Sequence, residues 1–159
     1  MSKLNIYLDT SVISAYFDFR KPVRQLMTQK WFQNELKRFS PYVSTLVLDE
    51  IGAHPQKDVR REMLDLVDVH GLQLLEINED ILKMAAAYRK DIIPREMNDS
   101  MHLAAASFYK LDAVVSWNFK HMVNLATIKA IHNLNRAKGL APVEIVTIEH
   151  LGGDKYGSL

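Results

Sequence analysis

Five short runs rich in apolar, β-branched and aromatic residues alternate with longer segments of helical period, and this alternation constrains the fold more than any other feature. The runs fall at residues 4–9, 42–45, 72–77, 113–117 and 144–148. Strands separated by segments long enough for helices pair in parallel, because each connection must cross back over the sheet. The expected fold is therefore α/β, a three-layer α/β/α arrangement with a central parallel five-stranded sheet.

The intervening segments carry their own start and stop signals. Pro22 suits the first turn of a helix, and Val23, Leu26, Met27, Phe32, Leu36 and Phe39 recur at helical spacing, which predicts a helical hairpin over residues 11–39. Residues 47–53 read as a short helix ended by Pro55. Val59, Met63, Leu66 and Val67 give the next helix an apolar face, and Gly71 stops it. Helices over 79–91 and 98–110 are divided by Pro94, and the second opens on Asn98, Asp99 and Ser100, all residue types favoured as caps. The last helix is expected from 120 to 138, with Gly139 as its stop. No internal repeat or interdomain linker interrupts the pattern. The domain is thus expected to span 1–151, with a flexible C-terminal tail at 152–159.

Composition narrows the function classes. The 159 residues are 48% hydrophobic and 25% charged, the balance of one ordinary globular domain. Twenty Lys and Arg against 19 Asp and Glu leave a net charge of +1, so attraction to a polyanion must be local. The absence of cysteine excludes disulfides, zinc knuckles, iron–sulfur ligation and a thiol nucleophile. No apolar stretch approaches the roughly 18 residues of a membrane span, and Lys3 comes too early for a signal peptide. A soluble, cytoplasmic protein with no membrane partner is expected.

In an open parallel sheet, ligands gather outside the carboxyl ends of the strands. Asp9 follows the apolar run Ile6-Tyr7-Leu8 and is followed by Thr10 and Ser11. Ser116 and Asn118 occupy the same end of the fourth run, Asp99 opens a helix, and Glu50 lies on the short helix after the second strand. Each has a local alternative: Asp9 and Asp99 as helix caps, Glu50 as a solvated surface residue.

In combination the four positions resemble the PIN-domain nucleases, in particular VapC-like toxins of toxin–antitoxin pairs. The matching stretches are Ile6-Tyr7-Leu8-Asp9-Thr10-Ser11, Ser44-Thr45-Leu46-Val47-Leu48-Asp49-Glu50-Ile51, Asn98-Asp99-Ser100-Met101-His102-Leu103-Ala104, and Val115-Ser116-Trp117-Asn118-Phe119-Lys120-His121, in family order. The resemblance implies a PIN-like fold and a metal-dependent endoribonuclease that uses Mg²⁺ or Mn²⁺. It also implies an RNA substrate, a cognate antitoxin and a homodimer. Asp9, Glu50 and Asp99 would be the metal-binding acids, and Asn118 would complete the catalytic set. Thr10, Ser116 and Lys120 are candidates for substrate contacts.

One departure stands out, because many members carry Asp where this chain has Asn118. Three carboxylates in place of four should hold one ion more readily than two. The stretch 113–143 contains Lys120, Lys129, Arg136 and Lys138 and no acid, and Arg20, Lys21 and Arg24 form a second basic cluster; both suit a phosphate backbone or, equally, a wet helix face. His102, three residues after Asp99, is expected to pack or to orient that acid rather than to ligate metal. Trp31 and Trp117 are expected to be core or interface residues rather than base-stacking platforms. The alternative function is a catalytically weak scaffold that binds RNA or protein. A phosphatase with an Asp nucleophile is discounted, since Ser11 stands where the Asp-x-Asp pattern has its second acid.

Overall fold

In the computed structural model, which describes residues 2–91 and 97–151, five parallel strands form a sheet in the order β3-β2-β1-β4-β5. They are β1 (Asn5–Leu8), β2 (Ser40–Ser44), β3 (Gln73–Leu75), β4 (Ala113–Val115) and β5 (Glu144–Val146). The central pair is buried on both faces and so carries the uninterrupted apolar runs Ile6-Tyr7-Leu8 and Ala113-Val114-Val115. Their register pairs Leu8 with Val115, which brings Asp9 and Ser116 side by side just past the last rung.

The first helices are α1 (Thr10–Ala15) and α2 (Pro22–Asn34), the latter followed by a 3₁₀ turn at Leu36–Arg38. Then come α3 (Thr45–Gly52), α4 (Lys57–Val69), α5 (Glu79–Asp91) and α6 (Met97–Phe108). The last two are α7 (Leu125–Ala137) and α8 (Ile148–Leu151). Right-handed crossovers carry α1 to α4 over one face as the chain steps from β1 to β3. The same rule carries α5 to α7 over the other face on the return. The three-layer α/β/α order expected from the sequence is the one observed.

Three helices end alike. After α4, Gly71 takes φ +61° and the Leu72 amide reaches back to the Val67 carbonyl at 3.1 Å. After α7, Gly139 takes φ +73° and Leu140 bonds to Asn135 at 2.8 Å. These are the left-handed exits that glycine permits without strain. After α6 the same geometry falls on Lys110, at φ 57°, with the Leu111 amide bonded to Ala106 at 3.0 Å. A lysine there carries the Cβ clash that glycine avoids.

Several boundaries differ from the sequence expectation. Residues 9 and 45 leave their strands: Asp9 caps α1, and Thr45 begins α3 directly after Ser44. The helical hairpin expected over 11–39 is formed by α1 and α2, joined by residues 16–21 and closed by the 3₁₀ turn at Leu36–Arg38. The last long helix starts at Leu125, not near 120, because the Asn124 side chain accepts the Thr127 amide and caps it there (2.9 Å). Upstream, the Asn118 side-chain oxygen Oδ1 accepts the His121 backbone amide (3.0 Å) and winds residues 118–121 into a separate turn. Helix α6 begins at Met97, so Asp99 lies inside its first turn instead of capping it. The segment around Pro94 and the tail at 152–159 lie outside the described residues. Among the described residues, no helix is long and apolar enough to cross a membrane.

A buried polar knot ties α5, α6 and α7 together. The Tyr88 hydroxyl donates to the Asn135 side-chain oxygen and lies 3.1 Å from the Ser107 hydroxyl, which can donate to it, and the Asn135 amide donates to Ser107 (3.1 Å). Each donor has found an acceptor, as burial demands.

Candidate active site

The chain leaves β1 for the β2 side and leaves β4 for the opposite edge, so the strand order reverses between β1 and β4. A crevice forms at such a switch point, outside the carboxyl ends of the strands. Asp9 stands in it. Its backbone amide continues the ladder to Val115 (3.2 Å), and its side chain caps α1 through the Val12 amide (3.4 Å). The carboxylate is only 3% exposed. The Ser11 hydroxyl donates to Oδ1 and the Ser116 hydroxyl to Oδ2, both at 2.5 Å. Burial pushes the Asp9 carboxyl above its ordinary range, and nearby His102 together with the two serine hydroxyls offsets this only in part.

On the β2 side, Glu50 is held by a line of hydrogen bonds that starts in the core. The hydroxyls of Ser44 and Tyr7 lie 2.8 Å apart, and the Tyr7 hydroxyl is 2.5 Å from His102 Nδ1. The other ring nitrogen, Nε2, is 2.7 Å from Glu50 Oε1. That same oxygen accepts the Thr10 hydroxyl (2.7 Å), while Oε2 accepts the Asn98 amide (3.3 Å). Ser44, Tyr7 and His102 are all buried, and burial drives the Tyr7 phenol far above its ordinary range. For Glu50, burial acts upward, but the bond and charge of His102, with Thr10 and Asn98, outweigh it and hold the carboxyl below its ordinary range.

On the β4 side, Ser116 is the hub. It donates to Asp9 and accepts the Asn118 backbone amide (2.9 Å), and the Asn118 side-chain amide donates to Asp99 Oδ2 (3.0 Å). Ser11 joins the two sides of this turn, since its hydroxyl also accepts the Trp117 amide (2.9 Å). Asp99 sits in the first turn of α6, where free amides and the helix dipole favour an ionised carboxylate.

Asp9, Asp99 and Asn118 therefore meet in one hydrogen-bonded network bridged by the Ser116 hydroxyl, while Glu50 stands in a second one with Thr10, His102 and Asn98; the peptide bond between Asp9 and Thr10 joins the two. Lys120 enters neither; the residue is exposed, and its backbone carbonyl accepts from Asn124 (3.2 Å). His102 is packed in the core, one of the two roles expected of it. It turns to Glu50 and Tyr7 and not to Asp99, because α3 packs against α6 and presents Glu50 to the histidine ring. Tyr7 and Ser44 were not assigned to the site from sequence, nor was the cleft position of Lys21 and Arg24 beside Asn118. Trp31 and Trp117 are buried, as expected.

The donor chemistry fits a hard divalent cation. The carboxylate and hydroxyl donors suit Mg²⁺ or Mn²⁺, and Asp9 is a buried acid whose hydrogen-bond donors are all neutral, so a cation would relieve its desolvation. Among the described residues, however, no group of three His, Asp or Glu side chains is placed to hold one ion. Asp9 and Asp99 are joined through Ser116 and Asn118, not through a shared point, and Glu50 belongs to the neighbouring group of bonds.

Comparison with known proteins identifies the class. The model of the PIN domain matches residues 6–119, from β1 through the Asn118 turn, and the chain belongs to the PIN domain family. A search of the curated proteins gives no match. Among solved structures, VapBC2 of Rickettsia felis, bound to a DNA fragment from its promoter, is 12% identical with a TM-score of 0.55 over 91% of this chain and 98% of that one. VapBC-1 of nontypeable Haemophilus influenzae is 14% identical, with a TM-score of 0.55 over 92% and 99%. VapC20 of Mycobacterium tuberculosis, a sarcin–ricin loop cleaving toxin, is 14% identical, with a TM-score of 0.55 over 73% and 92%. At such identities the likeness is one of fold.

Proposed function

We propose that the protein is a metal-dependent endoribonuclease that hydrolyses RNA phosphodiester bonds, and that it is the toxin of a type II toxin–antitoxin pair. The observation that carries this reading is the Asp9–Ser116–Asn118–Asp99 network at the switch point of the sheet, with Glu50 held by Thr10, the residue next to Asp9. Mg²⁺ is commonly held by one or two carboxylates, with water filling its remaining positions, so acids joined through hydroxyls suit it. Asp9 and Asp99 are the direct ligands in this reading, and Glu50 binds through water or accepts the proton of the attacking water. The ion, when bound, supplies charge relief at the phosphoryl oxygens and a water of lowered pKa.

The chain's own groups supply the orientation. Thr10 and His102 hold Glu50 Oε1 in one position, so the acceptor needs no rearrangement when a proton arrives. Ser116 and Thr10 are the hydroxyls nearest to a phosphate oxygen or a ligand water, and Lys120 contributes a phosphate contact from the exposed rim. Asn118 orients Asp99 without adding charge, which favours one ion over two. An antitoxin partner, a homodimer and a cytoplasmic setting belong to the same proposal, supported by the likeness in fold to the toxin chains above.

The test is cleavage of an RNA oligonucleotide after treatment with EDTA and again after adding Mn²⁺. Cleavage that depends on Mn²⁺ and vanishes in Asp9→Ala supports the nuclease. The missing charge at Asn118 favours a second reading, a scaffold that binds without cutting; RNA binding without cleavage, unchanged by Asp9→Ala, would select it.

A further inference from the structure

Beside Asn118 the rim opens into a cleft of about 290 Å³ whose lining includes Ser11, Asp18, Lys21, Arg24 and Trp117. A second cavity of about 380 Å³ adjoins it, sharing Lys21, Arg24 and Trp117 and adding Met27, Phe119 and Glu149. The two differ in character. The first borders the carboxylate network, whereas the second has a mainly apolar wall.

Arg24 sits where they meet. Its guanidinium carbon lies 4.9 Å from the centre of the Trp117 ring and 5.7 Å from that of Phe119. The two rings are themselves edge to face at 6.1 Å. Trp117 is buried and locked by its Nε1 bond to the Thr28 hydroxyl (3.0 Å), while Phe119 is 46% exposed. Among the described residues Arg24 has no acidic partner. Asp18, the acid of the first cleft, is already forked by Arg20 (2.9 and 3.3 Å), and Glu149 lines only the second cavity. A guanidinium held by ring faces keeps its N–H edge for a phosphate, and an exposed aromatic beside it offers a face on which any base can stack.

We propose that these cavities bind the nucleotide flanking the scissile phosphate of a single-stranded RNA, with its phosphate against Lys21 and Arg24 and its base on Phe119. This rests on the nuclease reading above and adds Lys21, Arg24 and Phe119 to it as the residues that position the substrate. A base in a duplex has both faces covered by its neighbours, so the shelf selects unpaired nucleotides. Glu149, on the base side, disfavours a second phosphate there and gives the bound strand a direction.

The experiment compares wild type, Phe119→Ala, Phe119→Tyr and Arg24→Gln in two readouts. One is the anisotropy of a labelled random-sequence RNA decamer, single-stranded or as a duplex, in EDTA. The other is cleavage kinetics in Mn²⁺. Wild type should prefer the single strand. Phe119→Ala should weaken binding and raise KM roughly ten-fold or more with kcat little changed, and Phe119→Tyr should restore both. Arg24→Gln should flatten the salt dependence of single-strand binding by about 0.7 in log–log slope. The shelf is overturned if wild type cleaves RNA while Phe119→Ala and Arg24→Gln match it in both readouts, or if duplex binds as well as single strand. It is also overturned if Phe119→Ala spares RNA binding but breaks a dimer seen by light scattering, which would assign the surface to protein contact. If wild type neither binds nor cleaves any RNA, the nuclease reading itself falls and the shelf falls with it.

Discussion

The two flanks of Asp9 are built in opposite ways. On the β2 side, Glu50 is fixed from within: three buried side chains on β2, β1 and α6 run in line to its Oε1. On the β4 side, Asp99 is fixed from the surface. It accepts the side-chain amide of Asn118, which belongs to an irregular turn whose shape comes from local bonds to Ser116 and His121. Buried networks are costly to break, because each lost partner leaves a polar group stranded in low dielectric. A surface turn can adjust, and water can replace what is lost. The difference implies that the first flank sets rigidity and the second allows variation.

Truncating the inner flank should give the largest effect. His102→Ala strands the Tyr7 hydroxyl and unlocks Glu50, and the expected loss is about 3 kcal/mol in urea unfolding, with kcat lowered about 10²-fold. Tyr7→Phe keeps the ring packing and removes one link, so about 1–2 kcal/mol and a smaller loss of kcat are expected. Equal damage from the two would mean that the line of bonds does not act as a line. Next is the centre itself. Asp9→Asn should abolish cleavage yet raise stability in EDTA by about 1 kcal/mol, seen as a higher Tm, because burial disfavours the charged form. A drop in Tm would show that the charge is already compensated.

On the outer flank, Asn118→Asp replaces an amide donor facing Asp99 with a carboxylate and leaves the acceptor for the His121 amide. Metal-free stability should fall by about 1 kcal/mol, and Mn²⁺ affinity by calorimetry should rise about ten-fold. Unchanged affinity would remove Asn118 from the ion's surroundings. The smallest effect is expected at the exit of α6, where Lys110→Gly should relieve the left-handed backbone and add about 0.5–1 kcal/mol with no change in kcat.

The outer frame of the site was readable in the sequence because it follows strand and helix ends. Asp9 and Ser116 close apolar runs, Asp99 lies in the first turn of its helix, Glu50 lies on the short helix that leaves β2, and a parallel sheet gathers such elements on one rim. Tyr7 was hidden for the converse reason. In Ile6-Tyr7-Leu8 it reads as one more buried apolar residue, and its hydroxyl meets partners 37 and 95 positions away. His102 was noticed but given the wrong neighbour, since spacing along one helix favours Asp99 while packing between helices delivers Glu50. The start of α7 was misplaced because Phe119, Met122 and Val123 continue a helical period, whereas Asn118 and Asn124 divert the backbone with their side chains.

The passage from β2 into α3 contains no linking residue at all, since Ser44 ends the strand and Thr45 begins the helix. A seam of this kind tolerates exchange of side chains far better than a change in chain length. One residue added inside α3 ahead of Glu50 would swing that acid about 100° around the helix axis, away from the crevice, while the sheet beneath stayed whole. A one-codon insertion there would thus disarm the site by a change in chain length alone, with every side chain of the site still present.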